Sequence, residues 1–130
     1  MLRPPLPIRH GRTEAQRRGR WAEQRAERLL RQAGWRPLAR RWRCRWGELD
    51  LLLHKGPDRL LLVEVKGRRR GGRDGAGCAG LQRRKRARLE AAFGLWLATH
   101  PAYGHCRVEL VAALVPLPPA RAPVRWIRWP

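Results

Sequence analysis

A chain of 130 residues, 43% of them hydrophobic, is long enough for one core and too short for two ordinary domains. Thirty Lys and Arg against ten Asp and Glu give a formal charge of +20, which argues against basic partners and predicts a polyanionic one, DNA first, with RNA offering the same phosphate chemistry. Three widely spaced cysteines without a Cys-x-x-Cys pair fit neither a disulfide framework nor a structural zinc site, and no apolar run approaches the ~20 residues that cross a bilayer, so a cytoplasmic protein without membrane contact is expected.

The first twelve residues are interrupted by Pro4, Pro5 and Pro7 and read as a flexible basic arm, leaving 13–130 as the single domain. A helix is predicted from Thr13 to Ala33. Thr13 and Gln16 have capping-box spacing, and Gly34 is placed to end the helix. Its apolar stripe runs through Ala15, Gly19, Ala22, Ala26, Leu29, Leu30 and Ala33, with Glu23 on the border, where a carboxylate can reach inward.

After Gly34 the pattern turns extended. Leu38–Arg43, Glu48–His54 and Arg59–Lys66 read as three strands, the last two joined through Lys55-Gly56-Pro57-Asp58 into an antiparallel hairpin. Alternation puts Glu48 and Asp50 on one face with Leu52, and Glu64 and Lys66 on one face with Leu60 and Leu62. Hairpin pairing then brings Asp50 beside the Glu64/Lys66 end of its neighbour. Carboxylates and an ammonium among apolar strands cost desolvation free energy, so a fold that keeps them pairs them, binds a metal with them or uses them in chemistry.

The segment Gly67–Gly80 is rich in Gly and Arg and reads as a mobile basic loop. A second helix follows over Leu81–Thr99 with the apolar stripe Leu81, Leu89, Ala92, Phe93 and Trp96. Gln82 and Lys85 fall on or beside that stripe, where Lys85 either snorkels to solvent or joins a site. Arg107–Val115 reads as a buried strand carrying Glu109, and Val124–Trp129 as a short edge strand.

The series from Gly19-Arg20-Trp21-Ala22-Glu23 through Ala26, Leu29, Gly34, Trp42-Arg43-Cys44 and Gly47-Glu48-Leu49-Asp50-Leu51 to Val63-Glu64-Val65-Lys66 resembles the YraN family. These are small bacterial proteins predicted to be nucleases of the PD-(D/E)-x-K superfamily, related to archaeal Holliday-junction resolvases. The likeness covers about residues 19 to 115 and implies an α/β, restriction-endonuclease-like core, a mixed sheet flanked by helices in the order αβββαββ. It implies a metal-dependent endonuclease in which Asp50, Glu64 and the Val65 carbonyl hold Mg²⁺ or Mn²⁺, an ion suited to hard oxygen ligands. Such an ion polarises a phosphate oxygen and acidifies a water. Lys66 would orient that water or offset charge at phosphorus, and Glu23 would be the helix acid. Gln82 and Lys85 would approach the scissile phosphate, and Glu48 matches the acidic run of the family's first hairpin strand. Arg43, Arg45, Arg68, Arg69, Arg70, Arg83 and Arg84 are the candidate nucleic-acid contacts. Where the family has a Phe-Asp-Val-like strand, this chain has Val108-Glu109-Leu110.

Each of these residues also has a plain structural use. Asp50 can cap or pair with an arginine, Glu64 and Lys66 can stitch the sheet as an ion pair, and Glu23 and Glu48 can pair with nearby arginines. Trp21, Trp42 and Trp46 can stack on bases or pack against neighbouring elements. At the level of function, an endonuclease on branched or single-stranded DNA stands beside a non-catalytic nucleic-acid-binding protein on the same fold, and beside an arginine-rich RNA-binding protein of ribosomal type. Symmetric cutting of two strands would call for a homodimer, with Trp126 and Trp129 of the last strand at the contact.

Overall fold

A computed structural model describes residues 11–68 and 79–129, with the side chains of 79–82 outside the described set. The element order is α1 (Glu14–Gln32), β1 (Arg36–Cys44), β2 (Gly47–Lys55), β3 (Arg59–Arg68), α2 (Ala79–Thr99), a 3-10 turn (Pro101–Tyr103), β4 (Arg107–Pro116) and β5 (Arg125–Arg128). This is the expected αβββαββ order. The first ten residues of the expected arm, and Arg69 and Arg70 of the basic loop, lie outside the described residues. At its two ends that loop is shorter than expected, since Gly67 and Arg68 belong to β3 and Ala79 and Gly80 to α2.

Local signals account for the boundaries of α1. The Thr13 hydroxyl accepts from the Gln16 N–H at 3.1 Å while the Gln16 side chain accepts from the Thr13 N–H at 2.9 Å, satisfying two donors that the helix leaves open. At the other end Gly34 takes φ +95°, a conformation open to glycine at little cost. The Gly34 N–H then donates to Arg31 and the Trp35 N–H to Leu30, closing a Schellman motif.

The five strands form one sheet in the order β1-β2-β3-β4-β5. β1/β2, β2/β3 and β4/β5 are antiparallel, and β3/β4 is parallel, a pairing that needs the long crossover which α2 supplies. Helices cover both faces. On one, Ala22, Ala26 and Leu30 of α1 pack with Leu51, Leu53, Leu61, Val63, Ala113 and Val115. On the other, Leu89, Ala92 and Trp96 of α2 pack with Leu49, Leu52, Leu60 and Leu62. Ala22 and Ala26 have no accessible surface, so α1 lies against the sheet at a distance that only small side chains permit.

One detail of β2 departs from simple alternation. Leu49 belongs to the α2-side core and Leu51 to the α1-side core, although residues two apart on a regular strand share a face. Asp50 sits at this break. Its partner strand is irregular opposite, where Arg41 takes φ +43°. The twist lets a residue of the sheet's centre approach groups from α1 as well as from the α2 side.

At the far edge, β5 is exposed along its whole length. Trp126 and Ile127 stand out to solvent, whereas Trp129 packs against the α2-side core. Of the two tryptophans expected at a dimer contact, Trp126 is thus exposed and Trp129 partly buried within the domain. No helix among the described residues is long and apolar enough to cross a membrane.

Candidate active site

The hairpin register pairs Leu51 with Val63, Leu52 with Leu62, and so on to Lys55 with Arg59. Asp50 and Glu64 are therefore the next residues along their strands, beyond the last apolar pair. The Val65 N–H donates to Asp50 Oδ2 at 2.8 Å, fixing the carboxylate against the neighbouring strand. Glu64, only 7% exposed, is the one charged residue in the core among the described residues. Its carboxylate is paired with Lys85 of α2, and Lys66 Nζ lies 3.9 Å from the same oxygen. Lys85 thus joins the site and is not a solvent-directed stem.

A second group of acids meets Asp50 from the other side. Glu23 of α1, Glu48 and Asp50 bring a carboxylate oxygen each to within 4.8 Å of one another. Glu23 also lies 2.8 Å from Arg41 Nε, and Glu48 accepts from Arg43 Nε at 2.9 Å. Glu27, one turn along α1, is held by Arg40 and does not enter the cluster.

The electrostatics follow from this crowding. Burial, then the neighbouring Glu64 carboxylate, push the Asp50 carboxyl up from 3.8 to about 8, with the Val65 hydrogen bond opposing them and Glu23 adding to them. Burial also raises Glu23, with Arg41 opposing and Glu48 reinforcing the rise. The Lys66 ammonium is pulled below its ordinary value by its hydrogen-bonding neighbour Lys85 and by burial. Burial pulls Lys85 down too, but the contacts with Glu64 and Lys66 outweigh it and hold that ammonium above its usual range.

Four carboxylates at one end of a sheet, three of them clustered, form a hard oxygen donor set of the kind that suits Mg²⁺ or Mn²⁺. A divalent ion there would offset the mutual repulsion that raises Asp50. The residues present fit such an ion.

These groups open into a cleft of about 820 Å³ between α2 and the outer strands. Glu48, Asp50, Glu64, Lys66, Arg68, Arg84 and Lys85 line it. Of the other sequence candidates, Arg43 and Arg45 are exposed at the β1–β2 end, and Arg83 is exposed on α2 but does not line the cleft. Gln82 lies on α2, its side chain outside the described set. Among the lining residues missed as site candidates are Arg88, Arg125, Ile127 and Arg128. Arg88 is one helical turn beyond Lys85, and residues 125, 127 and 129 share a strand face, so periodicity carried the signal for three of them.

Residues 22–113 match the model of the family described as "Uncharacterised protein family UPF0102". The chain belongs to the UPF0102, or YraN, family. A UPF0102 protein of Prochlorococcus marinus (strain MIT 9303) is 52% identical over 115 residues, covering 88% of this chain and 90% of the relative. One from Synechococcus sp. (strain CC9902) is 45% identical over 115 residues, covering 88% and 94%. A more distant UPF0102 protein of Frankia alni is 43% identical over 107 residues, covering 82% and 86%.

Proposed function

We propose that this UPF0102 protein is a divalent-metal-dependent endonuclease that hydrolyses phosphodiester bonds in DNA. The observation that supports it best is the convergence of Asp50 and Glu64 from adjacent strands with two lysines, Lys66 and Lys85, at the head of a cleft that also carries arginines. Asp50, Glu64 and the Val65 carbonyl would hold Mg²⁺ or Mn²⁺. When bound, that ion would polarise a phosphate oxygen and make a water more acidic.

The chain's own groups supply the rest. The Val65 N–H holds Asp50 in one orientation. Lys66, half-exposed and with its ammonium pKa depressed, orients the attacking water or offsets charge building at phosphorus. Lys85 pairs with the buried Glu64 carboxylate and faces the phosphate from α2. Glu23 and Glu48 extend the acid cluster toward a second ion or an ordered water. Arg68 and Arg84 meet the phosphate backbone within the cleft. Cys44 and Cys106 are free thiols, which suits the cytoplasm, where the DNA is. Cutting two strands symmetrically would require a homodimer, for which Trp126 on the exposed edge strand is the apolar contact available.

A second reading rests on a separate observation. Glu23 is matched by Arg41, Glu48 by Arg43 and Glu64 by Lys85, so three of the four acids are already paired with cations, as a non-catalytic nucleic-acid-binding protein would need. The deciding experiment is Mg²⁺- or Mn²⁺-dependent cleavage of labelled single-stranded, duplex, flap and four-way-junction DNA, with an RNA arm, by wild type and Glu64→Ala. Cleavage lost in the variant while binding persists supports the nuclease. Binding without cleavage of any substrate leaves the second reading.

A further inference from the structure

The cleft has a lining that a phosphate rail alone does not call for. Trp46 occupies the two-residue turn between the paired Cys44 and Gly47 and is 44% exposed. The Arg45 guanidinium lies over its ring at 5.1 Å, which steadies the ring without burying it. Ile127 of β5, the edge strand at the other end of the sheet from β1, also lines the cleft and is 42% exposed, a β-branched side chain held in water. Arg84 and Arg88 of α2 and Arg125 of β5 flank these apolar surfaces and are themselves exposed. A flat aromatic ring and an aliphatic side chain therefore face a basic cleft whose head is the acid and lysine cluster.

Duplex DNA presents phosphates, sugars and groove edges, while the faces of its bases are already stacked on one another. Against that ligand, exposed Trp46 and Ile127 gain little. Unpaired nucleotides present base faces and phosphates together, and proteins that take them combine a basic groove with aromatic stacking platforms. A volume of about 820 Å³ falls within the roughly 300–1,000 Å³ range of small-molecule sites, which is room for nucleotide-sized groups.

We infer that the cleft takes unpaired nucleotides, with Trp46 as the stacking platform, Ile127 as a second apolar contact, and Arg84, Arg88 and Arg125 on the phosphates. This rests on the proposed function only in that the cleft is the nucleic-acid site; it adds the substrate class, single-stranded segments or ends. Discrimination comes from base faces and not from charge, so the cations contribute to every polyanion and Trp46 only to those with free bases.

The test is fluorescence-polarisation binding, without divalent metal, of labelled oligo-dT of twelve nucleotides, a twelve-base-pair duplex, and inorganic polyphosphate as competitor. Wild type is compared with Trp46→Ala, Trp46→Phe and Ile127→Ala. The expected result is tighter binding of oligo-dT than of the duplex, about a tenfold loss in Trp46→Ala, a smaller loss in Ile127→Ala, and near-complete retention in Trp46→Phe. Duplex affinity and polyphosphate competition should change less than about twofold, because no phosphate contact is removed. Equal binding of single strand and duplex by wild type would overturn the inference, as would a Trp46→Ala effect that is absent or equal on all three ligands. Both positions are exposed, and circular dichroism checks that the variants fold. The cleavage assay is read separately: selective, Trp46-dependent binding without cleavage would sink the nuclease and leave this inference standing, and cleavage without single-strand selectivity would do the reverse.

Discussion

Lys85 reaches from α2 to the buried carboxylate of Glu64, tying the second helix to the third strand through one ion pair. Glu64 is buried on the α2-facing side of β3 that also carries Leu60 and Leu62, where an unmatched charge is costly. The same contact that stabilises this charge also aims an ammonium into the cleft. Stability and the proposed chemistry therefore depend on the same atoms here.

Removing the ammonium should destabilise the fold. Breaking a fully buried pair typically costs about 3–5 kcal/mol, and the partial exposure of Lys85, with Lys66 nearby, reduces the expected cost of Lys85→Met to about 1–2 kcal/mol. Adding Glu64→Gln should recover most of it, since the uncompensated charge is gone. Urea denaturation of the two single variants and the double variant gives the coupling, and independent, additive effects would contradict the pairing.

Much of this arrangement was legible in the sequence because the signals were local. Thr13, Gln16 and Gly34 marked the ends of α1, and the turn at Lys55-Gly56-Pro57-Asp58 set the register that places Asp50 beside Glu64. Long-range contacts were less readable. Whether Lys85 pointed to solvent or to Glu64 depended on how α2 docks, and periodicity gives a face but not its partner. Alternation likewise did not foresee that Leu49 and Leu51 would enter different cores, the break that lets Asp50 meet Glu23 of α1.

Without metal, Asp50 makes stability fall as pH rises. Its carboxyl holds a proton up to about 8 in the folded state against an ordinary 3.8, so between these values the folded chain binds more protons than the unfolded one. The stabilisation is complete below the lower value and lost as pH passes the upper. Asp50→Asn should flatten that part of the stability curve, by a fraction of the roughly 1.4 kcal/mol per pH unit that one whole proton carries. At the proposed site Mn²⁺ would have to displace the proton, so its effect on melting temperature should be larger at pH 8.5 than at pH 6 and should vanish in Asp50→Asn. Thermal melts in chelator and in Mn²⁺ across that range check both statements.

Among the proposed catalytic groups, the losses should be graded. Lys66→Ala should lower the cleavage rate constant by roughly 10²–10³-fold with DNA affinity little changed, because its ammonium acts on charge that develops in the reaction. Glu23→Gln acts through the acid cluster beside Asp50 and should cost roughly 10–100-fold. Single-turnover cleavage separates these from binding, and an equal loss in both variants would remove the distinction between them.

The small residues of α1 control the site at a distance. Ala26 has no accessible surface and packs in the cluster that includes Leu51, Leu53 and Val63. Ala26→Leu should cost about 1–3 kcal/mol by overpacking. Pushing α1 outward also moves Glu23, one turn away, from Glu48 and Asp50. Mn²⁺ stabilisation should therefore shrink in this variant, and a full metal response with reduced stability would mean that Glu23 is not part of the ion's surroundings.

Arg41 gives the last prediction, because it competes for the acid that a metal would use. Its Nε lies 2.8 Å from Glu23, and its φ of +43° is a conformation in which glycine is more at ease. Arg41→Gly removes the cation with little backbone strain, leaving Glu23 beside Glu48 and Asp50 without that counter-charge. In chelator the variant should be less stable, by about 1 kcal/mol or less for a partly exposed pair. In Mn²⁺ the order should reverse: binding no longer displaces an arginine and the local potential is more negative, so affinity should rise by roughly 3–10-fold. Isothermal titration with Mn²⁺ decides it, and weaker metal binding in Arg41→Gly would mean that the arginine organises Glu23 for the ion instead of competing with it.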